Sequence, residues 1–238
     1  MNIVISGYGK MGREVEIAAL ARGHTVVAKL DNAADWETFR DDALQGDVVI
    51  DFSQPDAVED VIKKCFDMQI PVVTGTTGWY DALDEIKTWC DNKNGTLFYA
   101  PNFSIGVNIF FNINQTLAQL MNKVDGYHVK VKETHHIHKL DKPSGTAIRI
   151  AEDIVQNTDG LKRWVNEKTE NPDELPVLSK RKGEITGTHK VTYSSDADKI
   201  ELIHKANNRS GFALGALAAA AFVQGKKGIF TMNDLLNF

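Results

Sequence analysis

From residue 1 to about residue 104 the chain alternates short apolar runs rich in β-branched residues with amphipathic stretches. In order they are "NIVISG", "GREVEIAALAR", "TVVAKLD", "DVVIDFS", "PDAVEDVIKKCFDM", "IPVVTGT", "YDALDEIKTWCDN" and "GTLFYAPN". A strand covered on both faces reads as a nearly continuous apolar run, and the helix crossing over it shows one apolar stripe. The alternation therefore predicts an α/β unit built on a doubly wound parallel sheet. Sheets of this kind bind ligands beyond the carboxyl ends of their strands. Several of these runs end in Gly, Ser or Thr, so the strand ends are where a site is expected.

Beyond Phe103 the pattern changes. A helix-like run, "VNIFFNINQTLAQLMNKV", leads to the alternating stretches "YHVKVKETHH", "HKVTYSS" and "KIELIHKA". Strands with one polar face suit an open antiparallel or mixed sheet, so a second domain of α+β type follows. "NEKTENPDELPVLSKRKGEITG" is polar and proline-containing and reads as a long, mobile loop. The apolar run "FALGALAAAAFV" falls short of the ~20 residues that span a bilayer and is rich in alanine, so it reads as a buried helix. With the tail behind it, that helix is expected to pack back on the first domain. The expected division is residues 1–104 with 210–238 for the first domain, and 105–209 for the second.

Composition narrows the partner. A net charge of -5 provides no basic face for nucleic acid, which leaves a small solute as the expected ligand. The two cysteines, Cys65 and Cys90, lack the close pairing of metal sites or redox dithiols. With no charged leader at the amino terminus, a reduced, cytoplasmic protein without membrane attachment is expected.

Gly7, Gly9 and Gly12 in "GYGKMG" directly follow the first strand and open a helix. The first glycine permits a tight turn, the second lets backbone approach a pyrophosphate, and the third allows close helix packing. Tyr8, Lys10 and Met11 complete this loop, whose amides would face phosphate at a helix start. Asp31 ends "TVVAKLD" at the tip of the second strand, where a carboxylate can accept bonds from ribose hydroxyls. It favours NADH over NADPH, although Lys29 nearby leaves some room for the extra phosphate. At the other strand ends, Gly75, Thr76 and Thr77 are expected to present backbone and hydroxyl groups to a nicotinamide carboxamide. Ala100, Pro101, Asn102 and Phe103 are expected to wall its ring.

The densest titratable segment is "ETHHIHKLDKPSGTA", residues 133–147. His135, His136 and His138 invite a metal reading. In a strand, however, His136 and His138 would share one face and His135 the other, and Lys139 would set an ammonium against the cation. No metal is expected. A second reading makes them ordinary histidines ending a strand. The third is an anion pocket with a proton donor: imidazole titrates near neutrality, and a bound dianion favours its protonated form. Pro143, Ser144 and Gly145 then turn into a helix beginning at Thr146, whose free amides suit a carboxylate.

With these motifs the chain resembles the 4-hydroxy-tetrahydrodipicolinate reductase (dihydrodipicolinate reductase) family. The agreement runs through "GYGKMGRE", "DFS", "TGTTG", "APNFSIGVN", "ETHHIHKLDKPSGTA", "GEITGTHKV" and "ELIHKANNRSGFALGALAAA". The resemblance implies a Rossmann domain and NAD(P)H-dependent reduction of a cyclic imine dicarboxylate in lysine and diaminopimelate biosynthesis. It also implies a homotetramer joined through the central sheet. His135 resembles the family's proton donor or acceptor and Lys139 its second proton donor. His136, Gly145 and Thr146 are similar to positions that hold the substrate carboxylates, with Ser144 beside them. Three departures stand out. Thr188 replaces a glutamate of many members, the glycine loop is one residue shorter than theirs, and the chain itself is shorter. Arg209 is read as a hinge or interdomain contact, and closure over the substrate is expected. Two rivals remain at this point, a dinucleotide-sensing regulator without turnover and a dehydrogenase of another dicarboxylate.

Overall fold

The computed structural model describes residues 1–238. The chain begins with β1 (Asn2–Ser6), α1 (Lys10–Leu20), β2 (Thr25–Leu30), α2 (Ala33–Thr38), α3 (Arg40–Ala43) and β3 (Val48–Asp51). It continues through α4 (Val58–Asp67), β4 (Val72–Thr74), α5 (Leu83–Lys93) and β5 (Thr96–Tyr99). Next come α6 (Ile105–Met121), β6 (His128–His135), α7 (Gly145–Gln156), β7 (Arg163–Val165), β8 (Glu174–Arg181), β9 (Gly187–Ser194) and β10 (Lys199–Ala206). α8 (Ser210–Phe222), β11 (Gly228–Phe230) and α9 (Met232–Leu236) close it. Two compact units result, Met1–Ile105 with Ser210–Phe238, and Gly106–Arg209.

In the first unit six strands pair in parallel in the order β11-β5-β4-β3-β1-β2. The strands read as unbroken apolar runs because both faces are covered. Ile3, Ile5, Ile50, Val73 and Phe98 pack on one side with residues of α1 and α8. Val4, Val49, Val72 and Leu97 pack on the other with Val61, Ile62 and Phe66 of α4 and Ile86 of α5. Alanine and glycine dominate α8 because that helix packs by its backbone: a Cβ on Gly215 would lie 1.7 Å from the Phe103 carbonyl oxygen. The doubly wound sheet and the buried terminal helix are as expected. The tail, however, also adds a strand, since β11 pairs with β5. No helix is long and apolar enough to cross a membrane.

The second unit holds a five-stranded mixed sheet in the order β10-β9-β6-β8-β7. β6 is antiparallel to β9 and parallel to β8. Val131, Leu175, Val177, Val191 and Tyr193 pack with Phe110 of α6 and with Ile150 and Ile154 of α7. Lys130 and Lys132 of β6 alternate with these and are exposed, so one face of the sheet is a core and the other is mostly polar, with Leu178 and exposed Ile203 among its residues.

Two expectations are corrected here. The stretch 166–187, read as a loop, contains β8, a full strand. Pro176 and the flanking charges masked the alternation of buried Leu175 and Val177. Proline is tolerated because pairing with β6 begins one residue later, at Val177. In addition, β6 stops at His135, so His136 and His138 lie in the following turn and not on a strand face.

Candidate active site

The strand order reverses between β1 and β3, the switch point where such sheets open a crevice. Gly7 follows β1 with φ +80°, and a Cβ there would meet the Phe52 carbonyl oxygen at 2.4 Å. Only glycine fits. A Cβ on Gly12 would come 2.4 Å from the Gly7 carbonyl oxygen, so α1 lies directly on the turn. Gly9 differs, because nothing stands within 4 Å of its missing Cβ. It is the N-cap of α1 and no side chain caps that helix. The first-turn amides of Lys10, Met11 and Gly12 thus begin a helix beside open space, which suits a pyrophosphate.

The end of β2 meets this loop. The Tyr8 amide donates to Asp31 Oδ1 at 2.9 Å, which fixes the carboxylate at the loop. Two cations lie over the Tyr8 ring, Arg13 at 5.0 Å and Lys29 Nζ at 4.7 Å from its centroid. Lys29 pairs with Glu16 at 2.5 Å, and the Tyr8 hydroxyl donates to the same carboxylate. These hydrogen bonds from Lys29 and Tyr8 hold the Glu16 carboxyl below its ordinary range.

The remaining strand ends are more tightly built than expected. Thr76, expected to present polar groups to a ligand, has its hydroxyl, amide and carbonyl engaged within the protein. Its hydroxyl donates to buried Asp51 at 2.8 Å, its amide to Thr74 Oγ1 at 3.1 Å, and its carbonyl accepts from Trp79 Nε1 at 2.8 Å. It therefore braces the loop, and Gly75 and exposed Thr77 flank it. A Cβ on Gly75 would strike the Phe52 ring at 2.2 Å. Ala100 and Phe103 are buried, and the Phe103 ring packs against Phe52 and Phe98, so it supports the rim from within. Pro101 is exposed beside half-buried Asn102, whose Oδ1 accepts from the Ser104 amide.

In the second unit the histidine segment forms a network drawn from β6, β8, β9 and the start of α7. Glu133 and His135 lie two residues apart on β6 and so share its buried face. Glu133 is 0 % exposed. Its Oε1 accepts from the Ser144 amide at 3.1 Å and from both terminal nitrogens of Arg181 at 3.1 Å. Its Oε2 lies 3.0 Å from His135 Nδ1 and 4.0 Å from His189 Nε2. Burial alone would push this carboxyl up, but hydrogen bonds from His135, Ser144 and Ser179 outweigh it and hold it well below the usual range. His189 faces the opposite pressure: burial and the nearby His135 push it down to about 3, so it is neutral.

Ser144, expected to contact the ligand, is buried and caps α7. Its Oγ accepts from the Ala147 amide at 3.2 Å and sits 3.3 Å from His189 Nε2. Ser144 N-caps α7 and its Oγ reaches only the third amide, so those of Gly145 and Thr146 lie at the accessible helix start. Nothing lies within 4 Å of the missing Cβ of Gly145. The loop that leads to it carries basic side chains. Lys139 Nζ pairs with Asp141 at 2.7 Å, and His138 Nε2 lies 3.3 Å from Glu184. Desolvation and then the Arg209 charge hold His136 below its ordinary range, so Arg209 acts on this cluster from the end of the unit. Thr188 alternates with buried Gly187 and His189 on β9 and pairs with Thr134. It therefore faces away from the cluster.

Glu133, Arg181, Gly187 and His189 were missed from the sequence. The one local signal was the spacing of Glu133 to His135, which places both on one face of a strand. Glu133, His135 and His189 also bring potential ligand atoms within 4.8 Å of one another. Arg181 already shares that carboxylate, however, and its charge would oppose a bound cation.

A Rossmann unit with a glycine loop, and a mixed-sheet unit bearing a buried carboxylate–imidazole cluster, have the architecture of an NAD(P)H-dependent oxidoreductase. Comparison with known proteins identifies the kind. The family described as "Dihydrodipicolinate reductase, N-terminus" matches residues 1–103, and "Dihydrodipicolinate reductase, C-terminus" matches residues 106–236. The 4-hydroxy-tetrahydrodipicolinate reductase of Christiangramia forsetii is 45% identical over 237 residues, covering 100% of this chain and 98% of its own. That of Neisseria gonorrhoeae is 37% identical over 199 residues, covering 81% and 73%. The dipicolinate-bound dihydrodipicolinate reductase from Paenisporosarcina sp. TG-14 shares the fold with a TM-score of 0.80, at 22% identity and 97% coverage of both chains. The chain belongs to the dihydrodipicolinate reductase family.

Proposed function

We propose that this protein reduces 4-hydroxy-tetrahydrodipicolinate to tetrahydrodipicolinate, with one hydride and one proton entering and one water leaving. The observation that carries the residue assignment is the meeting of a buried imidazole, His135, with the exposed start of α7 and the basic side chains His136, Lys139 and Arg209. When bound, reduced nicotinamide supplies the hydride. Hydride addition to a conjugated imine leaves electron density that a proton must quench, and His135 is the donor with Lys139 as the second. The amides of Gly145 and Thr146, with His136 and Arg209, orient the two carboxylates. Ser144 serves indirectly, as the cap that sets this helix start.

The first unit binds the dinucleotide through Gly7 to Gly12, Asp31, Gly75, Thr77 and the rim from Ala100 to Phe103. The second binds substrate. NADH is the preferred form, since Asp31 is fixed where the ribose hydroxyls belong and Lys29, the nearby cation, is occupied by Glu16. The open polar face of the mixed sheet is the surface through which a homotetramer assembles. A small-molecule biosynthetic role of this kind places the protein in the cytoplasm.

The test follows nicotinamide absorbance while the substrate is generated enzymatically, with NADH and NADPH in turn. Oxidation with both and a higher kcat/KM for NADH is expected. Binding of NADH with no consumption would overturn the reading in favour of a sensor.

A further inference from the structure

We propose that Glu133 is a positioning residue for His135: its buried carboxylate takes the Nδ1–H, so that Nε2, beside Gly187, is the nitrogen that exchanges the proton with substrate. The inference rests on the reading of His135 as the proton-transferring group and says how that group is set.

Three observations carry it. First, the two oxygens of Glu133 are differently engaged. Oε1 is saturated by Arg181 and the Ser144 amide, whereas Oε2 is shut from solvent with no well-aligned hydrogen bond. His135 Nδ1 is likewise enclosed and lacks another partner. The two atoms stand 3.0 Å apart, off the line of an ideal bond. Buried polar groups are rarely left unpaired, and this separation is a full ångström shorter than the 4.0 Å from Oε2 to His189 Nε2. If Nδ1 carried a lone pair, two acceptors would face one another at that distance, so electrostatics selects Nδ1–H.

Second, the Nε2 edge of the ring is kept clear. Gly187, the first residue of β9, is buried, and a Cβ there would stand 3.0 Å from His135 Nε2 and 3.3 Å from its Cδ2. Every other residue type would crowd the nitrogen that must meet substrate. Third, Glu133 is itself held from the substrate-binding side. The Ser144 amide that grips Oε1 belongs to the cap of α7, so one carboxylate orients the imidazole and anchors the anion-binding turn. The other groups facing this pair are Arg181 from β8, neutral His189 from β9, and Lys139 with Asp141 from the loop. Arg181 also donates from Nε to the Lys139 carbonyl at 3.2 Å and from NH2 to the Asp141 carbonyl. The same guanidinium therefore braces the segment bearing the second proton donor.

Glu133→Gln keeps the shape and the Oε1 acceptor but turns the second position into a donor, which forces the proton of His135 to Nε2. The expected result is a fall in kcat of roughly 10^2- to 10^4-fold, as for the amidated aspartate of a protease triad. KM for the substrate and the affinities for dipicolinate and NADH should stay within about threefold. Glu133→Asp should recover part of kcat. Nitrogen NMR of ring-labelled histidine, with the His135 signal assigned by its loss in His135→Gln, reads the tautomer directly. The expected signature is Nδ1–H in the neutral wild type and Nε2–H in Glu133→Gln. Since the wild-type spectrum needs no variant at Glu133, the idea stays exposed even if that variant misfolds. An Nε2–H tautomer in the neutral wild type overturns it, as does a Glu133→Gln enzyme with unreduced kcat. If His135→Gln is itself fully active, the fault lies with His135 as proton donor and not with Glu133 alone.

Discussion

The glycine loop and the histidine network are built by opposite means. After β1 the work is done by backbone: Gly7 and Gly12 are present because a Cβ would strike carbonyl oxygens at 2.4 Å, and the helix start is left bare. At the end of β6 it is done by side chains, with Glu133, Arg181, His189 and Ser144 packed around one imidazole. The first kind of site tolerates any side chain that points away. The second fails when one member changes, because the partner is left buried and unpaired.

The largest expected effect tests the second kind. His135→Gln should lower kcat by about 10^2- to 10^4-fold while NADH binding, measured by fluorescence, is unchanged. A small loss would remove the network from the chemistry and leave the glycine loop as the only functional site of the pair.

Next in size is a pH effect confined to the network. His189 is held at about 3 in the folded protein against an ordinary 6.5. Between these values the unfolded chain binds a proton that the folded one refuses, so stability should fall as pH drops from 6.5 towards 3. The slope is at most about 1.4 kcal/mol per pH unit. The depressed carboxyl of Glu133 acts in the same direction, with its contribution intact above 4.5 and lost as pH falls further. Urea unfolding across this range should show a flatter slope for His189→Gln. An equal slope would mean that His189 is not buried neutral.

Two glycine variants sharpen the backbone side. Gly7→Ala should destabilise the fold by about 1–3 kcal/mol or more, because a positive φ and a clash coincide. Gly9→Ala meets open space and should change stability by less than about 1 kcal/mol. Its affinity for NADH should nevertheless fall on the order of tenfold if a pyrophosphate occupies that space. Thermal melts with and without NADH separate the two. The smallest effect is at Glu16. Glu16→Gln releases Lys29 and should improve the NADPH to NADH ratio of kcat/KM by about threefold, the scale of one exposed charge pair.

The contrast also explains what could be read from the sequence. Backbone-built features are local, so the alternating strands, the glycine turn and the placement of Asp31 were visible in short windows. So, to within one residue, was the start of α7, expected at Thr146 and found at Gly145. Features made by side chains meeting across strands were not. Arg181 and Gly187 lay in or beside a stretch read as loop, because Pro176 and its charged neighbours hid the period of β8. Glu133 was passed over in favour of the three histidines behind it. Thr76 and Ser144 were seen as ligand contacts because their hydroxyls looked available, and only the fold shows them turned to Asp51 and to the amide of Ala147.

The second unit is inserted between β5 and α8, and the sheet of the first is finished by β11. During synthesis the inserted unit therefore has all its strands while the flanking one still lacks a buried helix and an edge. Until Ser210–Phe238 leave the ribosome, the apolar faces of Ile3, Ile5, Val73 and Phe98 have no α8 to cover them, so the first unit is the last to become a folded body.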